Sequence, residues 1–192
     1  MSAERLRAEV EFVLSNTGQR WEAASALITD FLRVLHELIY KTDRDQSAVL
    51  SQVQAVFGSN TLHHLARTLN GSTAGMRHFA LADDAPLYGR VELMCKQRGF
   101  EQEDGRHLLA HFIKALDEER ADEDGNIQSA AVMLYWGIGH EAAYHLGGLY
   151  VGDDHDVVAT ELGGYLDTRL KRFYKLVEMW EMERTWERED AE

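Results

Sequence analysis

Apolar residues recur along the chain at alternating steps of three and four, the spacing that lines one face of an α-helix. Trp21, Ala24, Ile28, Phe31, Leu35 and Leu38 form the clearest stripe and predict a helix from about Gln19 to Lys41. A shorter helix carrying Leu6, Val10 and Val13 precedes it, with Thr17-Gly18 as the break. A third begins near Gln46, carries Leu50, Val53 and Phe57, and stops at Gly58, a residue suited to a helix C-terminus. The fourth runs from Asn60 through Leu62, Leu65 and Leu69 to Asn70-Gly71.

Residues 71–85 have loop chemistry at both ends, with room for a turn or two of helix. Pro86 fits the first position of the next helix, with Asp83 or Asp84 near its N-cap and Gly99 at its end. Leu108, Leu109, Phe112 and Leu116 mark another helix, which dissolves into a turn centred on Asp124-Gly125. Residues 127–151 are apolar and rich in small side chains. The longest helix is expected from about Asp153 to near the C-terminus. Asp153, Asp154 and Asp156 sit at the positive end of its dipole, and Leu162, Tyr165, Leu170, Phe173, Val177 and Trp180 continue its stripe. No stretch alternates with period two. The pattern predicts an all-α fold: a single domain over residues 1–192, built as a bundle of seven to nine helices with a long C-terminal helix.

Composition narrows the class. A chain of 192 residues that is 45% apolar can bury a sizeable core, which excludes a disordered protein. The lone cysteine, Cys95, excludes an intramolecular disulfide framework and fits a reducing cytoplasm. The N-terminal sequence has no signal-peptide pattern, and no apolar run is long enough to span a bilayer. Charge is the more telling feature. Residues 1–100 hold eleven acids and eleven Lys+Arg, whereas residues 101–192 hold twenty-two acids and nine Lys+Arg, so the whole net charge of −13 lies in the second half. A field of that sign repels phosphate and anionic lipid, which disfavours nucleic acid and membranes, and it attracts basic partners or cations.

Two stretches carry candidate chemistry. His107 and His111 are four apart on one helix face, with Asp104 three residues before His107. Imidazole and carboxylate so placed form a partial set of transition-metal ligands. The competing reading makes Asp104 an N-cap with Gly105 opening the helix. In the second stretch, 136–148, Glu141 and His145 share one helical face and His140 and Tyr144 the adjacent one. Gly139, Ala143 and Gly147, four apart, would let another helix approach closely. A buried Glu141–His145 hydrogen bond that fixes helix packing is the structural expectation, and a ligand or proton-transfer site the alternative. His140-Glu141 resembles the opening of the zincin motif. The second histidine, however, comes five residues after the first, which turns the two about 100° apart on a helix.

Other signatures fail on spacing. Around Asp122-Glu123-Asp124-Gly125, counting from Asp122 puts Ile127 and Met133 where a calcium-binding loop requires Gly and Glu, and counting back from Gly125 puts Arg120 at the first ligand position. No Glu-x-x-His pair suits a di-iron bundle, and no phosphate-binding glycine loop occurs. Residues 65–79 are similar to a helix-turn-helix, with Ser72-Thr73 leading the second helix, but they lack a basic face. Cys95 is expected to be inert in its helix. Met179, Met182 and Trp186 prolong an apolar face into the acidic tail, which suggests packing against a second copy or against the chain's own N-terminal helix.

These features predict a non-enzymatic, cytoplasmic regulatory, adaptor or inhibitor protein. Its acidic helical surface, represented by Glu118, Glu119, Asp122 and Glu123 together with Met179, Met182 and Trp186, would engage a basic protein partner or a second copy. No cofactor is called for. The alternative is a helical protein, an enzyme included, that binds a transition metal or small ligand through His107, His111, His140, Glu141 and His145. A weaker alternative is a DNA-binding regulator of the helix-turn-helix type.

Overall fold

A computed structural model of the chain describes residues 2–43, 45–69, 71, 76–122 and 127–151. They belong to the first of two units, Met1–Asp153 and Asp154–Glu192. The described residues form eight α-helices and no strand: α1 (Ser2–Leu14), α2 (Trp21–Lys41), α3 (Gln46–Phe57), α4 (Ser59–Leu69), α5 (Pro86–Gln97), α6 (Gln102–Asp122), α7 (Ile127–Gly137) and α8 (His140–Val151). A 3-10 turn at Ala82–Asp84 precedes α5. The all-α helical bundle expected from periodicity is the fold. The expected C-terminal helix, with Met179, Met182 and Trp186, lies outside the described residues, as do Glu123 and the Asp124-Gly125 turn.

Two helices of 21 residues, α2 and α6, organise the unit. Helix α2 packs on α8, α5, α6 and α3, and α6 packs on α1, α4, α7 and α5. The α2 stripe turns inward as its spacing requires: Ala24, Ile28, Phe31 and Leu35 are inaccessible to solvent, and Phe112 and Leu116 of α6 likewise. Among the described residues, no helix is long and apolar enough to cross a membrane.

The helix ends follow local chemistry, with two departures. Asp45 caps α3, its Oδ1 accepting from Ser47 N at 2.9 Å. Gly99 takes φ 78°, and Phe100 N then donates to Cys95 O at 2.9 Å, closing α5 with a left-handed turn. One concerns the start of α5: Pro86 opens it as expected and Asp84 lies next to the N-cap, but the N-cap itself is Ala85, which has no capping side chain. The N-terminal donor of Leu87 is instead met by Gln52 Oε1 of α3, at 2.9 Å in a buried setting. The second departure is at the start of α6, which begins at Gln102. Asp104 therefore lies in the first turn and is not the N-cap, and the N–H of Gly105 is already bonded to Glu101 O at 2.9 Å.

Gly105 has a packing role. A Cβ there would lie 2.3 Å from Cys95 Sγ, so the missing side chain lets α5 and α6 meet. Residues 127–151 form two helices, α7 and α8, so the stretch 136–148 is not one continuous helix. The chain breaks at Ile138-Gly139, and nothing lies within 4 Å of a Cβ built at Gly139 or Gly147. The close approaches occur instead at Gly137, against Ala3 of α1, and at Gly148, against His36 of α2.

Candidate functional site

Among the described residues, the buried charged and imidazole side chains gather in three clusters. The first joins α2 to α8. His36 and His145 are 1% and 5% exposed, and their Nδ1 atoms stand 3.0 Å apart. His36 Nε2 is 3.2 Å from the hydroxyl of Tyr40, one turn on along α2. Tyr144 sets its ring edge-on to both imidazoles. A Cβ at Gly148 would fall 2.2 Å from His36 Nε2, so the glycine makes the space in which the imidazole lies. The arrangement is a hydrogen-bonded chain of imidazole, imidazole and phenol inside a helix–helix interface. Such a chain satisfies groups that would otherwise be costly to bury.

The second cluster joins α4 to α6 around Asp117, which is 3% exposed. Its Oδ1 accepts from Arg120 Nη2 at 2.7 Å, and its Oδ2 lies 2.8 Å from His64 Nδ1 and 2.9 Å from Arg67 Nη2. Burial pushes the Asp117 carboxyl up. The hydrogen bonds from Arg120 and His64 and the charges of Arg67 and Arg120 outweigh that, and its pKa lies below the usual carboxylate value. The third cluster ties α2 to the end of α5. Arg98 donates to both oxygens of Asp30, at 2.7 and 3.2 Å, in the two-pronged geometry a guanidinium suits. Arg33 reaches the same carboxylate at 3.2 Å.

The residues singled out from the sequence are dispersed. His107 is exposed on α6, whereas His111, one turn on, is half-buried with Nε2 3.0 Å from Glu9 Oε2 of α1. His140 and Glu141 are exposed in the first turn of α8, so the expected buried Glu141–His145 bond is not made. Glu141 instead occupies the helix end where a negative charge is favoured, and His145 turns inward to His36. The set His107, His111, His140, Glu141 and His145 therefore does not converge. Among the described residues, no three His, Cys, Asp or Glu side chains are grouped to hold a metal ion. The helix-turn-helix resemblance does not extend to a second helix over 76–79, which has no helical structure. Cys95 is buried, and burial pushes its thiol up to about 11 against the smaller opposing charge of Arg106.

The acidic candidates divide by face. Glu119 turns toward α1, 14% exposed, with Oε2 3.4 Å from Arg5 Nε. Glu118 is 58% exposed with Lys114 at 3.9 Å, and Asp122 is exposed at the helix end.

His36, His64, Asp30 and Asp117 were not singled out by sequence reasoning. For His36 a signal existed: it stands among Val34, Leu35, Leu38 and Ile39, four residues before Tyr40, where a polar pair on an apolar helix requires partners. Comparison with known protein families, curated proteins and solved structures finds none that matches this chain.

Proposed function

We propose that this chain is a non-enzymatic regulatory, adaptor or inhibitor protein that binds a basic protein partner through the acidic end of α6. One observation carries the reading. Glu118 and Asp122 stand exposed on the last turns of α6, at the negative end of its dipole, where carboxylates are unfavourable by roughly 0.3–1 kcal/mol each. Among the described residues Glu118 has Lys114 at 3.9 Å and Asp122 has no ion pair, while Asp117 and Glu119, on the same turns, are engaged by Arg120, His64, Arg67 and Arg5. A cationic partner would relieve that unfavourable field. Trp136, 58% exposed on α7, a helix packed against α6, supplies aromatic surface of the kind that anchors protein interfaces.

The test retains partners from native lysate on the immobilised full chain and compares it with a Glu118→Lys/Asp122→Lys variant. Loss of the retained protein from the variant, with thermal unfolding unchanged, is the expected result. Equal retention by both chains would overturn the reading.

A further inference from the structure

We propose that the His36–His145 pair is an acid-sensitive latch that holds α8 on α2. The argument starts from proton count. A hydrogen bond between two imidazole nitrogens needs one N–H and one lone pair, so a single proton fits between the facing Nδ1 atoms at 3.0 Å. When both rings are neutral, two arrangements satisfy the chain. Either His36 donates from Nδ1 while Tyr40 donates to its Nε2, or His145 donates to His36 while His36 Nε2 donates to the Tyr40 oxygen. One added proton is also accommodated: a cationic His36 donates from Nδ1 to His145 and from Nε2 to Tyr40. A second proton is not. It would set two N–H groups and two positive charges against each other in a buried interface.

The surroundings leave little room for adjustment. Gly148 lies against the His36 ring on one side, and Tyr144 packs edge-on to both rings. Several charged groups of the neighbouring elements form pairs among themselves. On α2, Glu37 pairs with Arg90 of α5 at 2.7 Å, and Asp30 holds Arg98 and Arg33. Asp45, at the start of α3, caps Ser47, and Asp117 on α6 holds Arg120, His64 and Arg67. On α7, Tyr135 faces His140 of α8 at 6.5 Å between ring centroids.

Release of α8 removes the conflict, because each separated imidazole can then be solvated as a cation. Free histidines gain their protons near pH 6.5, so the open form takes two protons where the closed form takes one, and acid favours opening.

The test measures hydrogen–deuterium exchange of the full chain at about pH 7.5 and 5.0, corrected for intrinsic exchange, over the range in which histidine titrates. Protection of α8 should fall at least ten-fold at the lower pH while that of α4 and α6 is retained. His145→Gln, whose amide does not titrate, should abolish this pH dependence. Nitrogen chemical shifts of the wild-type imidazoles give a reading that does not depend on the variant folding. One of the two rings should stay neutral for as long as α8 remains protected. Two fully protonated rings with α8 still protected, or an equal loss of protection in His145→Gln, would overturn the proposal.

Discussion

Arg120 Nη2 donates to Asp117 Oδ1 at 2.7 Å within a single turn of α6, and both residues are at least nine-tenths buried. An i, i+3 pair on a helix surface contributes only tenths of a kcal/mol. Here the carboxylate also receives His64 and Arg67 from α4, so the short-range pair becomes the junction between two helices.

Asp117→Asn should therefore be strongly destabilising, by about 3–5 kcal/mol, because it strands the buried Arg120 guanidinium without its counter-charge. The pH dependence has a definite sign. The folded carboxyl titrates below its unfolded value near 3.9, so its stabilisation is present above that pH and is lost as pH falls through the folded value. Chemical denaturation between about pH 7 and 3 should show a steeper acid loss for wild type than for Asp117→Asn. Parallel curves would remove the cluster as a source of acid sensitivity.

Adjacent glycines on α8 make a paired test of packing. Gly148→Ala drives a methyl into the His36 ring and should destabilise by about 1–3 kcal/mol, the usual range for overpacking. Gly147→Ala meets nothing within 4 Å and sits within a helix, so it should be neutral or stabilising by up to about 1 kcal/mol. Thermal melts of the two variants should move in opposite directions or differ by several degrees. Equal melting temperatures would contradict the α2–α8 contact.

Cys95 and Gly105 allow a similar check at the α5–α6 contact. With its thiol buried and pushed up to about 11, Cys95 should react with a thiol reagent at about pH 8 far more slowly in the native chain than in denaturant. Gly105→Ala should destabilise because the added methyl would press on Cys95 Sγ, and Cys95→Ala should recover part of that loss. Additive effects in the double variant would mean that the two residues do not touch.

What the sequence made legible was local. The stripes of α2, α4 and α6 are periodic within a few turns, and Gly58, Gly99 and Pro86 mark their own helix ends, so element order could be read without tertiary information. Partners were not legible, because imidazoles and carboxylates are paired across the chain. His36 meets His145 across 109 positions, and His64 meets Asp117 across 53. The break at Ile138-Gly139 decided the fate of the candidate ligands. By starting a new helix at His140, it puts His140 and Glu141 in an exposed first turn and carries only His145 into the interior. The close glycine contacts fall at Gly137 and Gly148 rather than in the Gly139–Gly147 series. Charge asymmetry survives as a reading of α6, where Glu118 and Asp122 remain outward.

Binding by that acidic end should be governed by long-range attraction, which is felt in the approach of a partner more than in the finished contact. Exposed charges are screened beyond roughly 8 Å at physiological ionic strength, so encounter is the step that salt slows. The association rate of the full chain with its captured partner, measured from about 50 to 500 mM salt, is the decisive quantity. A fall of about ten-fold or more, reduced in the Glu118→Lys/Asp122→Lys variant, is the predicted result. A rate that stays constant with salt and is the same for both chains would contradict recognition through the acidic end of α6.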